Sequence, residues 1–170
     1  MYLKNNIMFE KLLNTPYTKL INKIFDISFR KEWYETYWCF DLHGTIMKPS
    51  YNLNDKSVNY YPFAKEVLQL LSRRKDIKMI MWTSSYPNEI EIYNNVFMDD
   101  GIIFDTINEN PNISSNNGNF GYYDKKFYFN ILFDDKAAFD PEIEWEAIYN
   151  LLLEYENQNY IPNPNWTTKY

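Results

Sequence analysis

Trp38-Cys39-Phe40-Asp41-Leu42-His43-Gly44-Thr45 is an apolar run that stops on an aspartate and turns at once through a glycine. A carboxylate at the tip of a buried strand is costly unless a cation or substrate satisfies it. Open α/β sheets gather their ligands outside the carboxyl ends of the strands, which is where this aspartate stands. Two later stretches have the same form, Ile80-Met81-Trp82-Thr83-Ser84-Ser85 and Ile131-Leu132-Phe133-Asp134-Asp135. Each is an apolar run ended abruptly by small polar or acidic residues. Three such ends in one domain point to one site.

Around these runs the pattern alternates strand with helix. Residues 37–40, 77–82, 102–107 and 131–133 read as short, continuously apolar strands of the kind buried on both faces of a parallel sheet. Pro62 suits the first turn of a helix whose Phe63, Val67, Leu70 and Leu71 share one face. Pro87 opens a second helix, with Ile90, Tyr93 and Phe97 inward and Gly101 as its stop. Pro141 opens a third, with Ile143, Ala147, Leu151 and Tyr155 on the core side. Upstream, residues 8–26 carry apolar positions at helical spacing that Pro16 should split into two short helices. The expectation is an α/β, Rossmann-like three-layer sandwich with a parallel sheet and right-handed crossovers. Residues 1–35 would form an N-terminal helical arm, 36–157 the catalytic domain and 158–170 a polar tail.

At 170 residues the chain suits one domain with a proper core. Its 16 Tyr, 12 Phe and 5 Trp stand beside only 4 Gly. AT-rich codons and an aromatic binding surface both account for that excess, since aromatic rings also serve as stacking platforms. A net charge of −6 argues against a broad grip on nucleic acid, which needs clustered Lys and Arg. Residues 1–34 are mildly basic, as solvated helix faces commonly are. The single cysteine, Cys39, excludes an internal disulfide and makes a zinc site implausible. It sits inside an apolar run and reads as a buried, inert thiol. No apolar stretch approaches the ~18 residues of a membrane span. With no signal-peptide pattern at the start, a cytoplasmic setting is the expectation.

Asp41 with Asp134 and Asp135, joined by a backbone carbonyl, would make a hard oxygen site suited to Mg²⁺. Such a metal can bridge a carboxylate and a phosphoryl oxygen. Asp41 could then attack phosphorus and form an aspartyl-phosphate. Thr83, with Lys125 or Lys126, would hold the other phosphoryl oxygens, where positioning and charge neutralisation do most of the catalysis. Lys136 is a further candidate for that lysine. Lys125 and Lys126 differ by one position, which on a strand would point them to opposite faces. A bland reading stands beside each of these. An acidic pair ahead of a helix is common, and surface lysines are commonly just solvated.

The order of these motifs resembles the haloacid dehalogenase (HAD) superfamily of phosphotransferases, over roughly residues 37–155. That family reads Asp-x-Asp-Gly-Thr, then a Thr or Ser closing an apolar strand, then a lysine, then an acidic pair. Asp41-Leu42-His43-Gly44-Thr45 is similar to the first except at its second acidic position. Thr83, with Ser84 as the neighbouring candidate, corresponds to the second, and Asp134-Asp135 to the fourth. Residues 124–136 and Trp82-Thr83-Ser84 look most like the 5'(3')-deoxyribonucleotidase branch. The resemblance implies catalytic roles for Asp41, His43, Thr83 and Lys125 or Lys126. It implies substrate contacts from Gly44, Thr45 and Ser84, and a Mg²⁺ site at Asp41, His43, Asp134 and Asp135.

Two departures from the family pattern shape the functional expectation. His43 replaces the aspartate that protonates the leaving group and then activates water; a histidine can do that work. The family also tolerates non-acidic residues there, in members that transfer the phosphoryl group or bind without turnover. Second, positions 42–82 leave no room for a large cap beside a helix and a strand. Capless members usually act on bulky or macromolecular phosphates. A Mg²⁺-dependent phosphatase acting on a nucleotide, a nucleic-acid end or another bulky phosphomonoester is the leading expectation. A catalytically degenerate phosphate-binding protein and a phosphotransferase are the alternatives. The segments 47–60 and 108–121 would set specificity, with Tyr51, Tyr60, Tyr61, Phe120, Tyr122 and Tyr123 available to stack on a base.

Overall fold

The computed structural model describes residues 14–50, 57–110 and 126–157. Four parallel strands make one sheet: β1 (Thr36–Asp41), β2 (Ile77–Trp82), β3 (Thr106–Ile107) and β4 (Ile131–Phe133), in the order β3-β2-β1-β4. The helices are α1 (Pro16–Arg30), α2 (Ala64–Ser72), α3 (Pro87–Asp99) and α4 (Glu144–Asn157). This is the α/β, Rossmann-like layered architecture that alternating strands and helices imply. Among the described residues, only a looped segment and α2 stand between β1 and β2, so no cap domain is present there.

The register explains how the site is assembled. Phe40 is level with Met81 on β2 and with Phe133 on β4, and Asp41 is level with Trp82. Strand side chains alternate between faces. Trp38, Phe40, Met79, Met81, Ile131 and Phe133 therefore share one face, where they join helix residues in the main core. Much of the aromatic content is used here. Phe40 and Phe133 stack with centroids 4.4 Å apart, and Phe133 stacks in turn on the fully buried Trp145 at 5.8 Å. The opposite face carries a smaller cluster of Tyr37, Cys39 and Ile80, packed with Phe127, Tyr128 and Leu132.

Helix α1 departs from the expected arm. Thr15 caps it, Pro16 starts it, and it runs on to Arg30 with Ile21 and Phe25 buried in the main core. The Tyr17 hydroxyl donates to Leu132 O (2.8 Å), and Thr15 donates to Glu144 Oε2 (2.6 Å). The described part of residues 1–35 is thus a layer of the domain. Pro16 begins a helix here because its missing N–H falls on an orphan position; the preceding residues, 1–13, lie outside the described set.

Three boundaries also move. Pro62 and Phe63 form a turn, Phe63 adopts a left-handed φ of 65°, and α2 begins only at Ala64. Helix α4 begins at Glu144, leaving Ile143 at 54% exposure. Its buried stripe is Trp145, Ile148, Leu151 and Leu152 with Ala147, because the Trp145 indole fills the space under the β4 turn. The expected strand 102–107 shrinks to Thr106–Ile107. Ile102 instead closes the end of α3 by donating to Phe97 O (2.8 Å), and Ile103 N donates to Ser72 Oγ (3.0 Å).

Candidate functional site

The carboxyl edge of the sheet gathers the three motif ends, each held by local geometry. Asp41 ends β1 half-buried. The chain then turns tightly: the main-chain N–H groups of Ile46 and Met47 both donate to Leu42 O at 3.0 Å, and Gly44 N donates to Met47 O at 2.8 Å. Gly44 has φ +86°, a conformation natural to glycine. Thr45 is completely buried. Its hydroxyl donates to Asp41 Oδ2 (3.3 Å) and accepts from Asp135 N (3.0 Å). The Trp145 indole N–H donates to Thr45 O (2.8 Å), so helix α4 anchors the same loop.

Gly44 and Thr45 were expected to contact substrate. Their described hydrogen bonds are instead internal, and Thr45 ties the loop after β1 to the loop after β4. After β4, Asp134 remains extended (φ −158°, ψ 126°) and caps the turn Asp135–Ala137 by accepting from Lys136 N at 2.8 Å. Asp41, Asp134 and Asp135 thereby offer ligand atoms that all lie within 4.8 Å of one another.

Burial pushes the Asp41 carboxyl up to about 6; the Leu42 N–H opposes this, Asp134 adds to it, and Lys136 pulls it back. A carboxylate raised by burial and by its acidic neighbours is one that a cation would relieve. Clustered oxygen donors fit a hard divalent ion. Lys136 partly fills that role from outside. Its ammonium lies 3.2 Å from Asp135 Oδ1 on a side chain that is 79% exposed, and Asp135 leads in raising its pKa.

Thr83 follows β2 and is nearly buried. Its hydroxyl donates to Ser85 Oγ (2.9 Å) and accepts from Ser85 N (3.1 Å), which sets the turn into α3. Ser84 is exposed. Asn108 was not singled out in the sequence, yet its side-chain amide grips the main chain of Thr83 twice. Thr83 N donates to Asn108 Oδ1 (2.8 Å) and Asn108 Nδ2 donates to Thr83 O (2.8 Å). This adds one rung to the β2–β3 ladder beyond the end of β3. The available signal was an Asn directly after an apolar strand, a residue type that tolerates the left-handed φ of 55° found here.

His43 stands apart from the carboxylates in one respect. Its imidazole is not part of the acidic cluster; it packs edge-on to Tyr93 of α3, with centroids 5.4 Å apart. Lys126 is exposed and directly precedes Phe127, whose ring lies 4.5 Å from that of Trp82, so it sits beside the same edge. Lys125 lies outside the described residues, as do Tyr51, Phe120, Tyr122 and Tyr123.

Of the remaining aromatic candidates, Tyr60 is engaged elsewhere. Its hydroxyl donates to Asp100 (2.8 Å) and its ring packs on Phe97. Lys48 Nζ lies 5.6 Å over the Tyr61 ring. These tyrosines close the base of the 47–60 segment, where Met47 bridges Tyr60 and Lys48 N donates to Asn59 O (2.8 Å). Cys39 is buried, and burial first of all pushes its thiol up to about 12, so it is an inert packing residue.

A solved structure of a conserved protein from Bacteroides thetaiotaomicron is similar to this chain, with 21% identity and a TM-score of 0.53 over 71% of this chain and 91% of that one. At that identity the likeness shows the fold alone. No family model matches the sequence, and neither does any curated protein. No helix among the described residues is long and apolar enough to cross a membrane.

Proposed function

We propose that this protein is a capless member of the HAD superfamily, a Mg²⁺-dependent phosphatase in which Asp41 is the nucleophile. The observation that carries the reading is the meeting of Asp41, Asp134 and Asp135 at the sheet edge, next to the Thr83 turn. Bound Mg²⁺, held by the three aspartates and the His43 carbonyl, would supply charge neutralisation at the phosphoryl oxygens.

The chain's own residues do the rest. An Asp41 carboxylate oxygen attacks phosphorus; the Asp41–phosphorus bond forms as the ester phosphorus–oxygen bond breaks, and the departing oxygen takes up a proton. Water then attacks the aspartyl-phosphate and loses a proton, releasing inorganic phosphate and restoring Asp41. His43 is the acid and base for those two proton transfers. Thr83 orients a phosphoryl oxygen, and Lys126 or Lys136 offsets its charge. With no capping domain among the described residues, a bulky phosphomonoester such as a nucleotide or a nucleic-acid end is the substrate class.

Purified protein should release p-nitrophenol from p-nitrophenyl phosphate in Mg²⁺, lose that activity in EDTA and lose it in Asp41→Asn. Full activity in Asp41→Asn would remove the proposal. A second reading, phosphate binding or phosphoryl transfer without hydrolysis, is favoured by one observation: the His43 ring rests on Tyr93 outside the acidic cluster. It predicts a trapped beryllium fluoride adduct without metal-dependent release of phosphate. Phosphoryl transfer would show as a new ester when an alcohol or sugar acceptor is supplied.

A further inference from the structure

The acidic pair leaves the sheet on slender support. Strand β4 is three residues long, lies at the sheet edge and pairs with β1 alone among the described strands. Asp134 and Asp135 follow it at once, and Ala137 N and Phe139 N close their turn by donating to Asp134 O (2.9 and 3.1 Å). Further support comes from the first turn of α1. The Tyr17 hydroxyl donates to Leu132 O, with a longer second contact to Ala137 O (3.5 Å), so one side chain touches the backbone on both sides of the pair. Its ring is buried against Phe133 and Phe139, at centroid distances of 5.4 and 4.8 Å, which fixes where the hydroxyl points. Burial, helped by Glu144 and Asp134, pushes the Tyr17 pKa up to about 12, so the hydroxyl keeps the proton it donates.

Tyr17 is held in turn by Glu144, a buried carboxylate with no part in the reaction above. Glu144 accepts from the Thr15 hydroxyl and, at 3.4 Å, from Tyr17 N, one of the N–H groups that the start of a helix leaves without a helical partner. The next residue, Trp145, donates to Thr45 O, and the Thr45 hydroxyl accepts from Asp135 N. Two routes therefore join the first turn of α1 to the acidic pair: directly through Tyr17, and through Glu144, Trp145 and Thr45. A cation that draws three carboxylates together must hold the turn after β4 in one place, and Tyr17 grips that same turn.

We infer that Tyr17 is a positioning residue for Asp134 and Asp135, and that Mg²⁺ binding at the pair is coupled to docking of the α1 first turn, a coupling that rests on the metal site of the phosphatase reading. By linkage the effect runs both ways: loosening the turn weakens metal binding, and bound metal tightens the turn.

Calorimetric titration of the whole protein with Mg²⁺ alone tests the first direction. Tyr17→Phe keeps the ring and removes the hydroxyl; it should weaken Mg²⁺ binding about 3- to 10-fold, the ordinary worth of one such hydrogen bond. Thr15→Val should weaken binding as well, and Thr15→Ser should restore it. Phe25→Leu loosens α1 where it packs on Trp38 and Tyr155, so it should lower Tm and leave Mg²⁺ affinity unchanged. Amide exchange tests the reverse direction. Saturating Mg²⁺ should slow Thr18 and Lys19, in the first turn, more than Lys31 at the far end of α1, and Tyr17→Phe should abolish the difference. Unchanged affinity in Tyr17→Phe, an equal loss in Phe25→Leu, or uniform slowing along α1 in wild-type protein overturns the inference, and Mg²⁺-dependent turnover beside any of these leaves the phosphatase reading standing. Coupled binding without turnover does the reverse. Wild-type protein that binds no Mg²⁺ removes both.

Discussion

A β-carbon built on Gly44 would lie 2.9 Å from Oδ2 of Asp135. The glycine after His43 therefore answers two needs at once. Its φ of +86° is a conformation that side chains resist, and its missing side chain leaves room for a carboxylate of the acidic cluster. Gly101 has a similar φ, +75°, with nothing within 4 Å of its would-be β-carbon.

That contrast makes a prediction. Gly101→Ala should cost about 1–2 kcal/mol in urea unfolding, the ordinary penalty for a left-handed non-glycine residue. Gly44→Ala should cost more, and it should also weaken the Mg²⁺-induced rise in Tm, because Asp135 is displaced. Equal losses at the two positions, with Mg²⁺ response intact, would show that the Gly44–Asp135 approach carries no function.

Thr45 should behave as a scaffold residue. Replacing it by the isosteric Val removes the donor to Asp41 and leaves Asp135 N–H without its acceptor. A loss of about 1–3 kcal/mol in stability is expected. Thr45→Ser keeps both bonds and should retain most stability and activity. Chemical denaturation of the pair, alongside p-nitrophenyl phosphate turnover, measures both effects.

Asn108 should matter through Thr83. Asn108→Gly keeps a backbone free to adopt the φ of 55° and removes only the amide. It should cost about 1 kcal/mol for the two lost hydrogen bonds to the Thr83 main chain and lower kcat with little change in fold. Asn108→Ala adds backbone strain and should be worse. Amide exchange at Thr83 is the sensitive readout: both variants should accelerate it.

The Asp41 carboxyl, pushed up to about 6 from an ordinary 3.8 chiefly by burial, ties metal-free stability to pH. Between those two values the folded protein keeps a proton that the unfolded chain has lost. This contribution is therefore present in full below about 4 and is lost as pH rises through 6. The raw difference corresponds to ~3 kcal/mol; the carboxyl is only half-buried, and solvent screening cuts this to about 1 kcal/mol. Asp41→Asn should flatten that part of the metal-free Tm profile and raise Tm at pH 7. Mg²⁺ should raise wild-type Tm more at pH 7.5 than at pH 5. A wild-type profile that climbs steadily from pH 4 to 7 would contradict this account.

Much of the site's address was legible in the chain. Apolar runs that end on Asp41, Thr83 and Asp134 read as short buried strands whose polar ends meet solvent, and parallel order puts those ends on one edge. The helix errors were local. Pro16, Pro62 and Pro141 each mark a break, but a proline cannot say whether a helix begins on it or a turn later, because tertiary packing decides between a helical first turn and an independent one. Ile143 lost its expected place in the core to Trp145 for that reason.

Chain pattern alone determined the α/β alternation, the single buried thiol and the three carboxylates of the cluster, since periodicity and burial cost act along the sequence. Tertiary structure decided the partnerships. It turned Thr45 inward as a brace, brought Asn108, just past the end of neighbouring β3, to hold Thr83, laid the His43 ring on Tyr93 and placed Trp82 level with Asp41. Hydrogen bonds and strand register between residues tens of positions apart depend on how the sheet closes, and no local pattern encodes that.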